Sequence, residues 1–342
     1  MLKLFLLLLL AIFSGNAQTI SGTVFDETKL PLPGVSVYLD GTSVGTLTDE
    51  NGKFSLSVAK RINTNLVFSF IGYEILSVEN PFEKPKYEVH MQPKASMLKE
   101  VVIGNDGFSR KSKLKAFREE FLGKTKAGRS CKIFNEDDID FLYDYKTNTL
   151  KAFADKPLKV QNPYLGYEIE IDLREFSVVF AKKTVNTEFT NQSSYAVSTV
   201  FHEMPDAKKK FVSRRSDAYR GSGTEFLKNL IDQKWSYEGF VLYDEGFPTN
   251  PNEHFTVSNR NGMFHVAIKK NYKKAALTLN EIPYHAKFGI LYKKERQSGV
   301  QFLTDSFNMD DFGNTDVPMA IIFSGEISKQ RAGDLLPMDY LP

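Results

Sequence analysis

Cysteine is almost missing from this chain: Cys131 is the only one in 342 residues. No internal disulfide is therefore available, and stability must come from buried apolar surface, which about 325 residues can supply in roughly two domains. The lone thiol lies far from the front of the chain, so a lipid-modified amino terminus is not expected either. Net charge is nearly absent, because 44 Lys and Arg face 42 Asp and Glu to leave a formal +2. A nucleic-acid partner needs a concentrated basic face, and none is expected here. The lysine doublets (Lys182-Lys183, Lys269-Lys270, Lys273-Lys274, Lys293-Lys294) and the run Lys208 to Lys210 are spread out and offset by acids. They read as solvated strand ends and loops. Long apolar runs are absent beyond residue 13, which excludes a membrane-spanning helix of about 20 apolar residues.

The one apolar run is at the front. Lys3 gives a short basic start, Leu4 to Phe13 is unbroken, and Gly15-Asn16-Ala17 places small residues at minus three and minus one. This pattern is a targeting segment, residues 1–17, whose removal leaves Gln18 first. The mature chain is expected to be exported, in the periplasm or associated with an outer membrane, with no transmembrane helix. A membrane β-barrel in the second half is disfavoured as well. Adjacent strand residues point to opposite faces, so a lysine doublet inside a spanning strand turns one lysine to lipid, at about 2–4 kcal/mol near the midplane.

The stretch "GTSVGTLTDENGKF", Gly41 to Phe54, carries Gly41, Ser43 and Gly45 in the spacing G-x-S-x-G. A nucleophile elbow with that spelling needs a helix straight after the serine. Here Thr46-Leu47-Thr48 has two β-branched residues and leads through Asp49-Glu50-Asn51-Gly52, a hairpin turn, into the alternating strand "KFSLSV". Ser43 is thus not a nucleophile, and Gly45, Asp49, Gly52 and Gly72 are turn residues. From Thr19 to Met91 short alternating runs repeat: 20–25, 35–39, 45–48, 54–58, 66–71, 74–78 and 87–91. Seven strands in about 75 residues suggest a two-sheet sandwich.

The residues Gly22, Val24, Asp26, Pro33-Gly34, Val35, Gly45, Thr48-Asp49, Gly52, Phe54, Leu66, Ser69 and Gly72-Tyr73 give this region a close resemblance to the carboxypeptidase regulatory-like domain. That module is common in exported proteins of the Bacteroidetes and at the front of TonB-dependent outer-membrane receptors. The resemblance implies a seven-stranded Greek-key, prealbumin-like sandwich over residues 18–92. It carries no peptidase activity, because the zinc enzyme is a separate domain opened by H-x-x-E, and none of His90, His202, His254, His265 and His285 has a glutamate three residues later.

A linker, 93–111, follows. Its Leu98-Lys99-Glu100-Val101-Val102-Ile103 is similar to the segment after this module in TonB-dependent receptors, a region of strand addition to the energy-coupling protein. The residues that remain are too few for a receptor's plug and barrel together. Leu114, Phe117, Phe121 and Leu122 then recur at helical spacing until Gly123. "DIDFLYDYKTNTLKAFA", "GYEIEIDLREFSVVFAKK" and "HFTVSNRNGMFHVAIKK" read as hairpins, turning at Thr147-Asn148 in the first, at Asn261-Gly262 in the last and near the strand ends elsewhere. Ser222 and Glu225 are spaced as a capping box before the stripe Phe226, Leu227, Leu230 and Ile231. Residues 112–342 are thus expected to form a β-rich α+β domain with about two helices. The runs "EFLGKTKAGRSCKIFNEDDIDFLYD", "ADKPLKVQNPYLGYEIEIDL" and "SRRSDAYRGSGTEFLKNLI" resemble a region that follows the same module in many Bacteroidetes proteins, with no reaction attached to it.

Candidate chemistry is thin. His202-Glu203 precedes Met204-Pro205 and Asp206 and reads as a polar turn, not a zinc pair. Glu136, Asp137, Asp138 and Asp140 lack the glycine-centred calcium loop, and in Asn308, Asp310, Asp311, Asn314 and Asp316 with Gly313 a ligand position is taken by Phe312. Cys131 reads as a buried structural thiol. Trp235, Tyr237 and Phe240, with Tyr164 and Tyr167, either stack a sugar or fill cores, as aromatics in sheets usually do. No cofactor and no metal are expected. The reading is a non-catalytic binding or scaffolding protein of the envelope, with an outer-membrane receptor, an envelope protein or a glycan as partner. The alternative is a hydrolase whose acid pair or metal site is assembled only by folding of the second domain.

Overall fold

The computed structural model describes residues 18–94, 106–205, 209–260, 262–271 and 283–342. The targeting segment, the linker strand 98–103, Asp206 and Asn261 lie outside them. The chain divides into two compact units: residues 18–38, 44–61 and 65–94, and residues 39–43, 62–64 and 106 onward. It is mainly β throughout.

In the first unit β1 (Gln18–Phe25), β4 (Lys53–Val58) and β7 (Lys86–His90) make one sheet, with β1 antiparallel to β4 and parallel to β7. A second sheet runs in the order β3 (Gly45–Leu47), β2 (Ser36–Leu39), β5 (Leu66–Ser69), β6 (Leu76–Val78). The alternation of β4 buries Phe54, Leu56 and Val58 and leaves Lys53, Ser55 and Ser57 outside. Phe54 meets Phe68 of the other sheet edge-on at 5.5 Å, so the two layers close a β-sandwich core.

The turns behave as their residues require, with one change. Asp49 Oδ1 accepts from the N–H of Asn51 at 2.9 Å and of Lys53 at 2.8 Å, an Asx turn before β4. Gly52 and Gly72 have φ of 69° and 87°. Gly45, however, is an ordinary strand residue paired with Tyr38, and the left-handed position of this connection is Gly41, at φ 74°. Gly52 and Gly72, both left-handed, differ in their surroundings. A Cβ on Gly52 would sit 2.4 Å from the Val24 carbonyl oxygen, whereas one on Gly72 meets nothing within 4 Å. Gly72→Ala is expected to cost about 1 kcal/mol from backbone strain alone, and Gly52→Ala clearly more, because strand β1 must also move. Urea unfolding of both variants checks this; equal losses would show that the Val24 contact does not matter.

The second unit begins with α1 (Arg110–Phe117), capped by Ser109, and continues as a π-helical turn, Arg118–Leu122, up to Gly123. Then come α2 (Lys126–Ser130), β8 (Lys132–Ile133), β9 (Ile139–Asp144), β10 (Thr149–Ala154), β11 (Leu158–Asn162), β12 (Tyr167–Phe180) and β13 (Thr190–Glu203). These strands form a six-stranded sheet in which β12 pairs with β10, β11 and β13. Phe117, Phe121 and Phe176 interlock over it at 4.7–6.2 Å. The segment from Tyr167 is one long strand, and its hairpin turn lies beyond its end, between β12 and its antiparallel partner β13. At Arg174 a bulge sets two residues against one on β13, and the buried positions change from Tyr167, Ile169, Ile171 and Leu173 to Phe176, Val178 and Phe180.

Two further helices, α3 (Lys209–Tyr219) and α4 (Gly223–Asp232), lead into β14 (Phe240–Asp244), β15 (Phe247–Pro248), β16 (Phe255–Arg260), β17 (Met263–Ile268), β18 (Ala286–Tyr292), β19 (Arg296–Phe302), β20 (Ser306–Met309) and β21 (Ile321–Gly325). They form a five-stranded sheet, β15-β14-β18-β19-β21, and a three-stranded one, β16-β17-β20. Ser222 Oγ accepts the Glu225 N–H at 3.0 Å as the capping box requires, while the Glu225 carboxylate accepts from Gly221. The described residues thus hold four α-helices where about two were expected. Lys209 and Lys210 open α3 instead of ending a strand, and His202 and Glu203 close β13 instead of forming a turn.

Candidate functional site

The open end of the β16–β17 hairpin face is the candidate site. Phe255, Val257 and Asn259 alternate to one side of β16, and their register partners Ile268, Val266 and Phe264 share that face. At its base Phe255, Val266 and Ile268 are buried in one core with Phe226 and Leu230 of α4. The helix stops before the hairpin tip: Gln233 takes a left-handed φ of 56° and donates its N–H to the Asn229 carbonyl at 2.9 Å. Ile231 and Gln233, Asn252 from the 3₁₀ turn Pro251–Glu253, and Phe255, Val257, Asn259 and Phe264 then line a groove of about 490 Å³.

None of these seven residues is ionisable, and three carry carboxamides. Asn259 Oδ1 accepts from the Gly262 N–H at 3.2 Å, and Gln233 Nε2 donates to the Leu230 carbonyl. The Asn252 carboxamide has no hydrogen-bond partner among the described residues. The neighbouring Asp232 is held by Lys228 at 2.9 Å and Lys234 at 3.2 Å, so its charge is matched outside the groove.

The aromatic residues singled out from the sequence do not form one platform. Phe240 is buried against Phe226 and Tyr292, at 5.5 and 4.7 Å, and Trp235 lies edge-on to Phe226 at 5.9 Å. Tyr237 is 62% exposed. Tyr164 and Tyr167 pack on the other core, where Arg214 and Arg215 lie over their rings at 4.2 and 3.9 Å. Arg215 is itself buried. Its Nε donates to the Leu165 carbonyl at 2.8 Å and Nη2 to the Gly166 carbonyl at 3.1 Å, while Nη1 meets the Glu203 carboxylate. Arg215 thereby docks α3 onto the turn at Leu165 and Gly166.

Glu136, Asp138, Asp310 and Asp316 are engaged by the protein. Arg118 pairs with Glu136 through two nitrogens, and Lys156 donates to Asp138 at 3.0 Å. Asp310 accepts from the N–H groups of Phe312 and Asn314 at 2.8 and 3.0 Å and from that of Asn63 at 2.8 Å. Asp316 accepts from Asn308. Among the described residues no three His, Cys, Asp or Glu stand together to hold a metal ion. Ser43 gives its hydroxyl and its N–H to Asp339, within the second unit, and no histidine joins them. Burial raises the Asp40 and Asp334 carboxyls above the usual range; Asp334 accepts from Thr125 and from the Arg331 N–H at 3.2 Å.

Cys131 donates to the Ala127 carbonyl at 3.4 Å. Burial, with the Asp334 charge adding, pushes its thiol up to about 12. The thiolate is the reactive form, so a disulfide reagent at pH 8 is expected to leave the native thiol untouched and to titrate one thiol per chain in urea. Rapid reaction of the native chain would contradict this burial.

Residues 20–103 match the CarboxypepD_reg-like domain family. The curated relatives are TonB-dependent receptors, matched through their N-terminal regions. TonB-dependent receptor P39 of Formosa agariphila is 37% identical over 90 residues, 26% of this chain and 8% of that receptor. TonB-dependent receptor SusC of Bacteroides thetaiotaomicron is 36% identical over 111 residues, 30% of this chain and 10% of the receptor. A second Formosa agariphila receptor, P3, is 30% identical over 112 residues, 32% and 11%. The chain thus spans only about a tenth of the length of these relatives. Among solved structures, a type II cohesin–X-dockerin complex of Acetivibrio cellulolyticus aligns with 22% of this chain and 56% of that one, at 20% identity and a TM-score of 0.19.

Proposed function

We propose that this chain is an exported, non-catalytic binding or scaffolding protein of the cell envelope that acts beside a TonB-dependent outer-membrane receptor. The observation that supports it best is the module at residues 20–103, which has its counterpart at the front of three such receptors. The module is a small sandwich whose inward residues are spent on packing. Its fold offers surface and sheet edges for binding, not a constellation of reactive groups. The second unit adds the uncharged groove.

Crosslinking in intact cells that carry the affinity-tagged full chain tests this reading. The tag should travel with the envelope fraction and carry adducts to an outer-membrane receptor or another envelope protein. Recovery in the cytoplasm, or an envelope-located chain with no envelope adduct, would overturn it.

A further inference from the structure

We infer that the groove between the end of α4 and the tip of the β16–β17 hairpin binds a neutral saccharide. This rests on the binding half of the reading above, but not on a receptor partner.

The argument is one of elimination by chemistry. About a quarter of the residues in this chain are charged, 25%, yet all seven described residues that line the groove are neutral. An anionic or cationic ligand would lose water there and meet no counter-charge among these seven residues. A purely apolar occupant, such as the face of a helix, would cover the Asn252 and Asn259 carboxamides without satisfying them, and that costs free energy for each group left unpaired. The remaining class carries hydroxyls and an apolar face on one rigid ring. A pyranose presents C–H groups to a phenyl ring such as Phe264, half-buried on the floor strand β17, and hydroxyls to carboxamides on either side.

Placement supports the same conclusion. Asn259 and Phe264 are directly opposed across the hairpin, so a phenyl ring and a carboxamide stand side by side on one pleated surface. Asn252 and Gln233 come from separate elements and face the same space. The carboxamide of Asn252 is unpartnered, and the Nδ2 of Asn259 makes no bond among the described residues, so donors and acceptors are both free to read hydroxyl groups. The volume, about 490 Å³, falls within the ordinary range for small-ligand sites.

The test uses the full mature chain and ligand-detected NMR together with the side-chain amide signals of Gln233, Asn252 and Asn259. The probes are hexasaccharides of glucose, galactose, mannose and xylose, with an oligogalacturonate as the anionic counterpart. At least one neutral probe is expected to bind and shift these amide signals. Phe264→Ala should weaken it about tenfold, and so should Asn252→Ala, which alters an exposed side chain and leaves the fold intact, while Phe264→Tyr should restore most of the affinity. The inference is overturned if no neutral probe moves the amide signals at millimolar concentration. It is equally overturned if the anionic probe binds as well as the neutral ones, or if binding survives both alanine changes. Receptor association, read by crosslinking, is a separate measurement, and either can fail without the other.

Discussion

Arg215→Ala is expected to lower the unfolding free energy of the second unit by about 3 kcal/mol or more. The guanidinium is buried and gives three separate bonds, to the Leu165 and Gly166 carbonyls and to the Glu203 carboxylate, with the Tyr167 ring beneath it. Truncation leaves two turn carbonyls without their donors and a gap beside an aromatic ring. The effect belongs to the fork geometry more than to the charge. Arg215→Lys keeps the charge but cannot span both carbonyls and the carboxylate, so it should recover less than half of the loss. Glu203 is 56% exposed, and Glu203→Gln should cost under about 1 kcal/mol. Urea midpoints at constant slope read all three. An unchanged midpoint for Arg215→Ala would mean that α3 is not held by this residue.

Phe226→Ala should be at least as damaging, about 3–5 kcal/mol, because the ring is fully buried and its removal opens a cavity. Trp235, Phe240 and Phe323 surround it with centroids at 5.9, 5.5 and 5.9 Å. Rigid β14 and β21 carry two of these neighbours, so the site collapses poorly. Set against a typical stability of about 5–15 kcal/mol, the variant is expected to be marginal. Phe226→Leu, which keeps most of the volume, should retain a cooperative transition. A loss below about 1 kcal/mol for the alanine variant would show that α4 is not anchored through this ring.

The sequence was most readable where period and turn chemistry agreed. In the sandwich, alternation and Asx or glycine turns speak for the same seven strands, and the capping box fixed the start of α4. It was least readable where a charged residue sits in a buried stripe. Phe211, Arg215 and Tyr219 are the buried positions of α3 at helical spacing, but the middle one is an arginine, so the apolar period breaks and only a lysine run remains visible. The long strand β12 was hidden for a related reason: its period of two changes phase at Arg174, and a change of phase reads like two elements. The groove left almost no mark. Its carboxamides are scattered over positions 233, 252 and 259, and only the sequence Phe255, Val257, Asn259 hints that an apolar face ends in an amide.

That change of phase makes the length of the long hairpin as constrained as its composition. Loss of the single codon for Arg174 would remove the extra residue of the bulge and leave Phe176, Val178 and Phe180 in phase with Leu173, whereas loss of the codon for Ser177 would turn Val178 and Phe180 to the opposite face. Natural variants of this segment should therefore tolerate a gap at position 174 far better than one at position 177.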